Sequence, residues 1–415
     1  MIIVNADKLD REFFEPRQGD EGEIAREILA DIRKYGESAL RKYSQKFDDI
    51  GTAPFKLTGK DINAAYEKVD SETLSALREA AKSIEFFARK QMSQIKDFSL
   101  VNKGVILGQK VIPLIRVGCY VPGGIYPLPS SALMSIIPAK IAGVEEIIVC
   151  SPRIKPATVA AADIAGADMI FNIGGAQAIG AMAYGTESVP KVDKIVGPGN
   201  KYVAAAKKEV YGRVGIDFIA GPSEVLIIAD ETGKAELIAA DLLAQAEHDK
   251  SAQPNLVTTS RKLAIEVQNQ LEMQLQKLKT RDIAAAALQN GRIIIAQSLE
   301  DCAKISDMKS PEHLELHVKN PERLMLKNYG SLFIGDNAAE VFGDYCTGTN
   351  HILPTNGAAR YTGGLSVRDF VKIVTYQKID GKVPASMVKV ASRLAEQEGL
   401  DAHRKAALLR VGRDC

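Results

Sequence analysis

Histidine is scarce in this chain, with five residues in 415. Cysteine is no commoner, and Cys119, Cys150, Cys302, Cys346 and Cys415 are widely spaced with no C-x-x-C pair. That spacing argues against a disulfide framework and against a thiolate zinc site, so any metal must be held by nitrogen and oxygen. Long apolar runs are missing too: stretches such as "EEIIVC" and "VLIIA" fall far short of the ~20 residues that cross a bilayer. The start, MIIVNADKLDREFF, has no signal-peptide pattern, and the expectation is a cytoplasmic protein with no membrane partner. Neither sign of charge is in excess, Lys plus Arg numbering 53 against 52 for Asp plus Glu. Without a basic block there is no nucleic-acid groove to expect. There is also no G-x-G-x-x-G, no fixed-period repeat and no low-complexity segment.

What is present is apolar content of 46%, ample for real cores, over a length that predicts two or three domains. Residues 20–97 read as amphipathic helices, as in "EIAREILADIRKYGESALRKYSQKF" and "SETLSALREAAKSIEFFARKQM". "GVILGQKVIPLIRVGCYVPGG" alternates like a hairpin and stops at a Pro-Gly-Gly turn. From about 118 to 222 strands and helices take turns, and a second alternation starts at "EVLIIAD" after the turn "IAGPSE". The fold class expected is α/β, with two tandem Rossmann-like α/β domains, a helical N-terminal region and a helical C-terminal segment. In residues, 1–20 form an extension, and 21–117 with 223–365 form a first α/β domain carrying metal and catalytic residues. Residues 118–222 form a second Rossmann-like domain, and 366–415, led by "SVRDFVKIVTYQKI", are helical.

Four of the five histidines lie in polar, turn-bounded contexts. In "LLAQAEHDK" the stripe of Ile238 and Leu242 runs into Gln245 and then His248, so an apolar helix face ends either in two ligands or simply in solvent. In "SPEHLELHV", Leu314, Leu316 and Val318 alternate with His313, Glu315 and His317 as a strand. Glu312 beside His313 at the strand entry suits proton transfer near neutral pH, whereas His317, deeper on the same face, reads as structural. "GDYCTGTNHILPT" reads as a loop carrying Asp344 and His351. Asp344, His248 and His403, with the Gln245 carbonyl, would suit Zn²⁺ or a similar ion; Asp344 serves equally as an Asx-turn cap after Gly343. The glycine turns "GCYVPGG", "NIGGAQAIG" and "GPGN" stand at strand ends where open α/β sheets place ligands, and tight turns would look the same.

Taken together these pieces resemble the histidinol dehydrogenase family over nearly the whole chain. The block "IDFIAGPSEVLIIADETGKAELIAADLLAQAEH" is similar to that family's signature, and "RVGCYVPGG", "GGAQAIGAMAYGT", "IVGPGN", "PEHLEL", "GDYCTGTNHILPT" and "GLDAH" follow in order. The resemblance implies one Zn²⁺ per subunit on Gln245, His248, Asp344 and His403, and Glu312 and His313 as the acid/base pair. Ser223, Gln245, His248, His313, Asp344, His351, Glu398 and His403 would contact the substrate, L-histidinol. Tyr120, Pro122, Gln177 and Asn200 would line the NAD site. The resemblance also implies a homodimer whose exchanged C-terminal segment brings Glu398 and His403 to the partner's site. Departures are small: Asp249 follows "QAEH" where the family often has glycine, and "IYPLPSSALM" varies the loop after the Pro-Gly-Gly turn. Rival expectations are a relative acting on another polar alcohol or diol, a zinc hydrolase without nicotinamide, and a binding protein that has lost activity.

Overall fold

The structure is a computed structural model that describes residues 1–15, 22–48, 50, 52–123 and 127–410. Gly124 of the Pro-Gly-Gly turn, Ile125 and Tyr126 after it, and Cys415 lie outside the described residues. The chain divides into two compact units, Met1–Gln91 with Leu114–Phe370, and Met92–Pro113 with Val371–Cys415.

The first unit holds two wholly parallel sheets. One contains β1 (Ile2–Asn5), β9 (Glu224–Ala229), β10 (Gln253–Thr258), β11 (Arg292–Ile295), β12 (His313–His317) and β13 (Ser331–Ile334), in the order β1-β11-β10-β9-β12-β13. The other contains β4 (Arg116–Tyr120), β5 (Glu146–Cys150), β6 (Met169–Phe171), β7 (Lys194–Val196) and β8 (Gly215–Ile216), in the order β6-β5-β4-β7-β8. Setting β1 aside, both follow one plan: the chain starts in the middle, steps two strands to one side, then returns to build the other. That is the doubly wound order, with its switch point between β9 and β12 in one sheet and between β4 and β7 in the other.

Burial on both faces explains the continuous apolar strands. In β9, Val225, Ile227 and Ala229 pack under the helices Ala235–Ala246 and Arg261–Leu275, while Leu226 and Ile228 pack on the opposite face with Cys302, Leu314 and Leu316. Truncating one of these, as in Ile227→Ala, would cost about 2–5 kcal/mol.

Several boundaries differ from the sequence reading. Residues 2–5 are a sheet strand rather than part of an extension, because β1 pairs in register with β11. The helices Gly22–Tyr35 and Glu37–Asp48 bury Ile28, Leu29, Ile32 and Leu40 against Ile179, Met182 and Val203 of the five-stranded sheet's layer, not against the first α/β module. Both sheets lie within the first unit. The expected hairpin is displaced as well. β3 (Val105–Pro113) pairs antiparallel with β2 (Phe98–Asn102) on one side and β14 (Val371–Lys378) on the other, while β4 leaves for the parallel sheet.

β14 replaces the helix expected over "SVRDFVKIVTYQKI". Val371, Ile373, Val374 and Thr375 are β-branched, and β3 offers them a ladder partner from 260 residues earlier in the chain that periodicity alone could not reveal. The second unit continues as the helices Ala385–Gln397 and Asp401–Leu408, separated at Gly399, whose φ of +71° suits glycine.

Candidate active site

Topology gathers the chemistry at the amino edge of the six-stranded sheet. A crossover helix runs back against its strands, so Ala235–Ala246 and Leu299–Lys309 end where β10 and β12 begin. Gln245 is therefore buried at one helix end with His248 beyond it at an exposed rim, and Glu312 and His313 stand buried at the entry to β12. Ser310 precedes them with a φ of +55°, a left-handed turn that aims the adjacent Glu312 and His313 into one cluster. Asp344 completes it, on a helix (Glu340–Tyr345) rather than the loop or Asx-turn expected.

His313 is at the centre. Its Nδ1 lies 3.7 Å from Glu312 Oε2 and 3.7 Å from Glu340 Oε1, and its Nε2 lies 3.7 Å from Asp344 Oδ1. Nε2 is buried with no hydrogen-bond partner among the described residues. Glu312 Oε2 accepts the Glu224 N–H at 2.9 Å. Glu224 pairs with the buried Lys309 at 3.2 Å and accepts the Asn356 N–H at 2.9 Å. His351 sets Nδ1 2.8 Å from the Asp344 carbonyl and Nε2 3.2 Å from Ser131 Oγ. Ser223 sits half-buried just before Glu224.

The charges here are crowded. Burial pushes Glu312 up to about 7, with Glu224 and Asp344 adding to the rise against the pull of His313. Burial likewise drives Glu340 well above the carboxylate range. Burial works against an imidazolium at His313, yet Glu340, Glu312 and Asp344 outweigh it and hold the pKa well above 6.5. Asp344 stays low despite burial because His313, His351 and His248 surround it. A cluster with this many buried carboxylates needs protons or a cation.

The donor set fits a cation. One ligand atom from each of His248, Glu340 and Asp344 lies within 4.8 Å of the other two. The Gln245 amide donates to Glu340 and accepts from the Glu224 N–H at 2.9 Å, which ties it to the same carboxylate. The negative end of the Ala235–Ala246 helix dipole points the same way.

The carboxyl edge of the five-stranded sheet carries a second set. The Tyr120 hydroxyl accepts the Gly175 N–H at 3.1 Å, and Pro122 follows two residues on. Gln177 is buried and donates to Asp48, which also accepts the Gly174 N–H. Asn200 is exposed and caps the helix Lys201–Val210. Tyr120 ends β4, beside the switch point between β4 and β7, the place where sheets of this kind bind nucleotides. Glu398, at the end of Ala385–Gln397, and His403 belong to the second unit and are exposed.

Three participants escaped the sequence reading: Glu340, Asp48 and Ser131. Glu340 had a signal, since E-x-x-x-D puts Glu340 and Asp344 on one face once the segment is helical. Asp48 and Ser131 had none, because their partners are 126 and 220 residues away.

Fold and site together describe an α/β protein with a buried imidazole set among carboxylates, beside a donor set of the kind that holds a cation. The histidinol dehydrogenase family model matches residues 16–411. The histidinol dehydrogenase of Methanocaldococcus jannaschii is 49% identical over 93% of this chain and 91% of its own length, and that of Bacillus cereus is 47% identical over 93% and 91%. The crystal structure of histidinol dehydrogenase from Elizabethkingia anophelis matches with a TM-score of 0.92 at 37% identity, covering 99% of this chain and 97% of that one. The chain belongs to the histidinol dehydrogenase family.

Proposed function

We propose that this protein oxidises L-histidinol to L-histidine through histidinal, reducing two NAD⁺, the last two oxidations of histidine biosynthesis. Membership of the family supports the reaction. The observation that carries the residue roles is the buried His313, set among Glu312, Glu340 and Asp344.

His313 takes the carbinol proton as hydride leaves for the nicotinamide, and a positioned base of this kind contributes ~10²- to 10⁴-fold. Glu312, held by the Glu224 N–H, then removes a proton from the water that adds to the aldehyde, giving the hydrate for the second hydride transfer. Ser223, His351 and Glu398 orient the substrate. Gln245, His248 and Asp344, with His403, would hold one Zn²⁺ in each active site, and that ion would supply Lewis acidity and orientation for the substrate. Tyr120, Pro122, Gln177 and Asn200 border NAD.

Because Glu398 and His403 lie on the second unit, the reading includes a homodimer in which each C-terminal segment serves the partner's site. It is a cytoplasmic enzyme; no helix among the described residues is long and apolar enough to cross a membrane. A cysteine thiohemiacetal is the competing route to the acid. The buried Cys119 and Cys302 thiols are pushed up to about 12, and burial drives Cys150 higher still, which supports the hydrate route.

The test is NADH formation from L-histidinol, with the protein as purified, after chelation, and after zinc is restored. Two NADH per histidinol, lost with chelator and recovered with Zn²⁺, is the expected result. No NADH from folded protein in any condition removes histidinol as substrate and turns attention to other polar alcohols or diols.

A further inference from the structure

His317 is the histidine left unused by this chemistry, and it is not a bystander. It ends β12 beside the switch point of the six-stranded sheet, at the carboxyl edge, opposite the edge that carries His313. Doubly wound sheets ordinarily place ligands at that edge. Its ring is 3% exposed and is flanked by carboxylates from three elements: Glu315 on its own strand, Asp241 on the Ala235–Ala246 helix, and Asp336 just after β13.

The two ring nitrogens have different company. Nδ1 lies 3.2 Å from Asp336 Oδ1, and Asp336 is itself held by Lys234 at 3.0 Å. Against burial, Glu315, Asp241 and Asp336 raise the pKa of the ring; an ion at Nε2 would take the place of that proton while Asp336 keeps the one at Nδ1, the arrangement found behind metal-bound histidines. Nε2 faces Glu315 Oε2 at 3.5 Å and Asp241 Oδ2 at 3.7 Å, and the three ligand atoms lie within 4.8 Å of one another. Those contacts are too long for hydrogen bonds made by a shared proton. The 3.5 Å contact falls within, and the 3.7 Å contact just beyond, the ~3.3–3.6 Å edge between two ligands held ~2.0–2.2 Å from a tetrahedral ion.

Glu315 supplies an independent observation. Its Oε1 accepts the Glu340 N–H at 2.8 Å, but Oε2 is buried with no hydrogen-bond partner while the residue is 1% exposed. The charged group nearest that oxygen is the His317 ring at 3.5 Å, and a buried carboxylate oxygen without a hydrogen bond costs free energy that a closer cation would offset. Burial and Glu315 also push Asp241 up to about 7, so at neutral pH a proton competes for the same place.

We propose that Asp241, Glu315 and His317 form a second divalent-cation site, distinct from the His248 and Asp344 cluster, that takes an ion of the zinc, cobalt or manganese class. One nitrogen and two carboxylate oxygens suit such ions, with a fourth position open to water on the side where the Asp241 and Asp336 side chains are part-exposed. The ion would anchor the end of β12, and through the Glu315 to Glu340 hydrogen bond it would stiffen the carboxylate beside His313.

The experiment is a Co²⁺ and Zn²⁺ titration of the chelator-stripped full chain, read by bound metal per chain and by the Co²⁺ visible spectrum. Wild type should take up two ions. Asp241→Asn and His317→Gln should each take up one, losing the same spectral component, whereas His248→Ala should lose the other. Asp336→Asn removes no ligand and should weaken the second ion by ~10- to 100-fold, which keeps the test open if a ligand variant fails to fold. Wild type saturating at one ion that Asp241→Asn spares would mean that only a proton occupies the cluster, and the proposal falls. One ion that Asp241→Asn abolishes and His248→Ala spares would instead sustain this site and overturn the zinc assignment at His248.

Discussion

Lys207 and Asp217 allow a sharp test of how the carboxyl edge of the five-stranded sheet is held. Their side chains form an ion pair and are 2% and 1% exposed. Lys207 Nζ also donates to the Gly197 carbonyl at 2.9 Å, while Asp217 accepts the Gly197 N–H at 2.8 Å and the Phe218 N–H at 2.7 Å. Gly197, which opens the "GPGN" turn, is thus gripped at both its N–H and its C=O. Lys207→Met keeps the length of the side chain and removes only the charge and the donor. Removing one partner of a buried pair costs about 3–5 kcal/mol. The two backbone N–H groups still solvate Asp217, so the expected loss is near ~3 kcal/mol, about two orders of magnitude in the folding equilibrium. Urea unfolding followed by circular dichroism measures it, and KM for NAD⁺ should rise while kcat changes less. Adding Asp217→Asn removes the stranded charge and should recover ~1 kcal/mol or more. A loss below about 1 kcal/mol, or a double variant no better than the single one, would refute the assignment of this pair as a clamp on the turn.

Gly197→Ala probes the same turn from the other side: φ is +112° and an added Cβ would sit 2.1 Å from the Tyr120 carbonyl, so the variant should lose at least ~1–3 kcal/mol by the same urea assay. Glu312→Gln should slow histidinal oxidation ~10²- to 10⁴-fold, measured with the aldehyde as substrate. In metal-stripped protein the same variant should be the more stable one at high pH. The Glu312 pKa rises from 4.5 unfolded to about 7 folded, so its protonation supports the fold fully below 4.5 and that support is lost as pH climbs through 7. Gln never titrates, and the advantage should reach ~3 kcal/mol above pH 8 and vanish near pH 4; a pH-independent difference would contradict the assignment. Mixing inactive His248→Ala and His403→Ala chains should restore about a quarter of wild-type activity through heterodimers with one intact site, and no recovery after subunit exchange would count against the swapped C-terminal segment.

The sequence made the alternating strands and helices of residues 118–334 legible because the longer helices show their period and the short strands read as apolar runs, most of them set off by Gly, Pro or Ser. Glu312 and His313 were legible for a related reason: polar residues at the mouth of an apolar strand need an explanation. β14 was misread because a β-branched amphipathic segment fits either period, and its partner β3 lies far away along the chain. Glu340 was hidden by the threonines and glycines after it, which made a helical turn look like loop. His317 was set aside as structural because sequence shows only that it shares a face with His313, not that Asp241 and Asp336 arrive from other elements to meet it.

The parallel pairing of β1 with β11 sets a schedule for synthesis. Ile2 lies opposite Arg292, so β1, once synthesised, waits for a neighbour made at ~5–20 residues per second, roughly 15–60 s later. During that interval "IIVN" is an apolar segment with unpaired backbone groups, open to pairing with other nascent chains. The five-stranded sheet, whose strands lie within residues 116–216, can close first and carry the early structure, while the sheet that bears His313 is complete only once β13 (Ser331–Ile334) has been made.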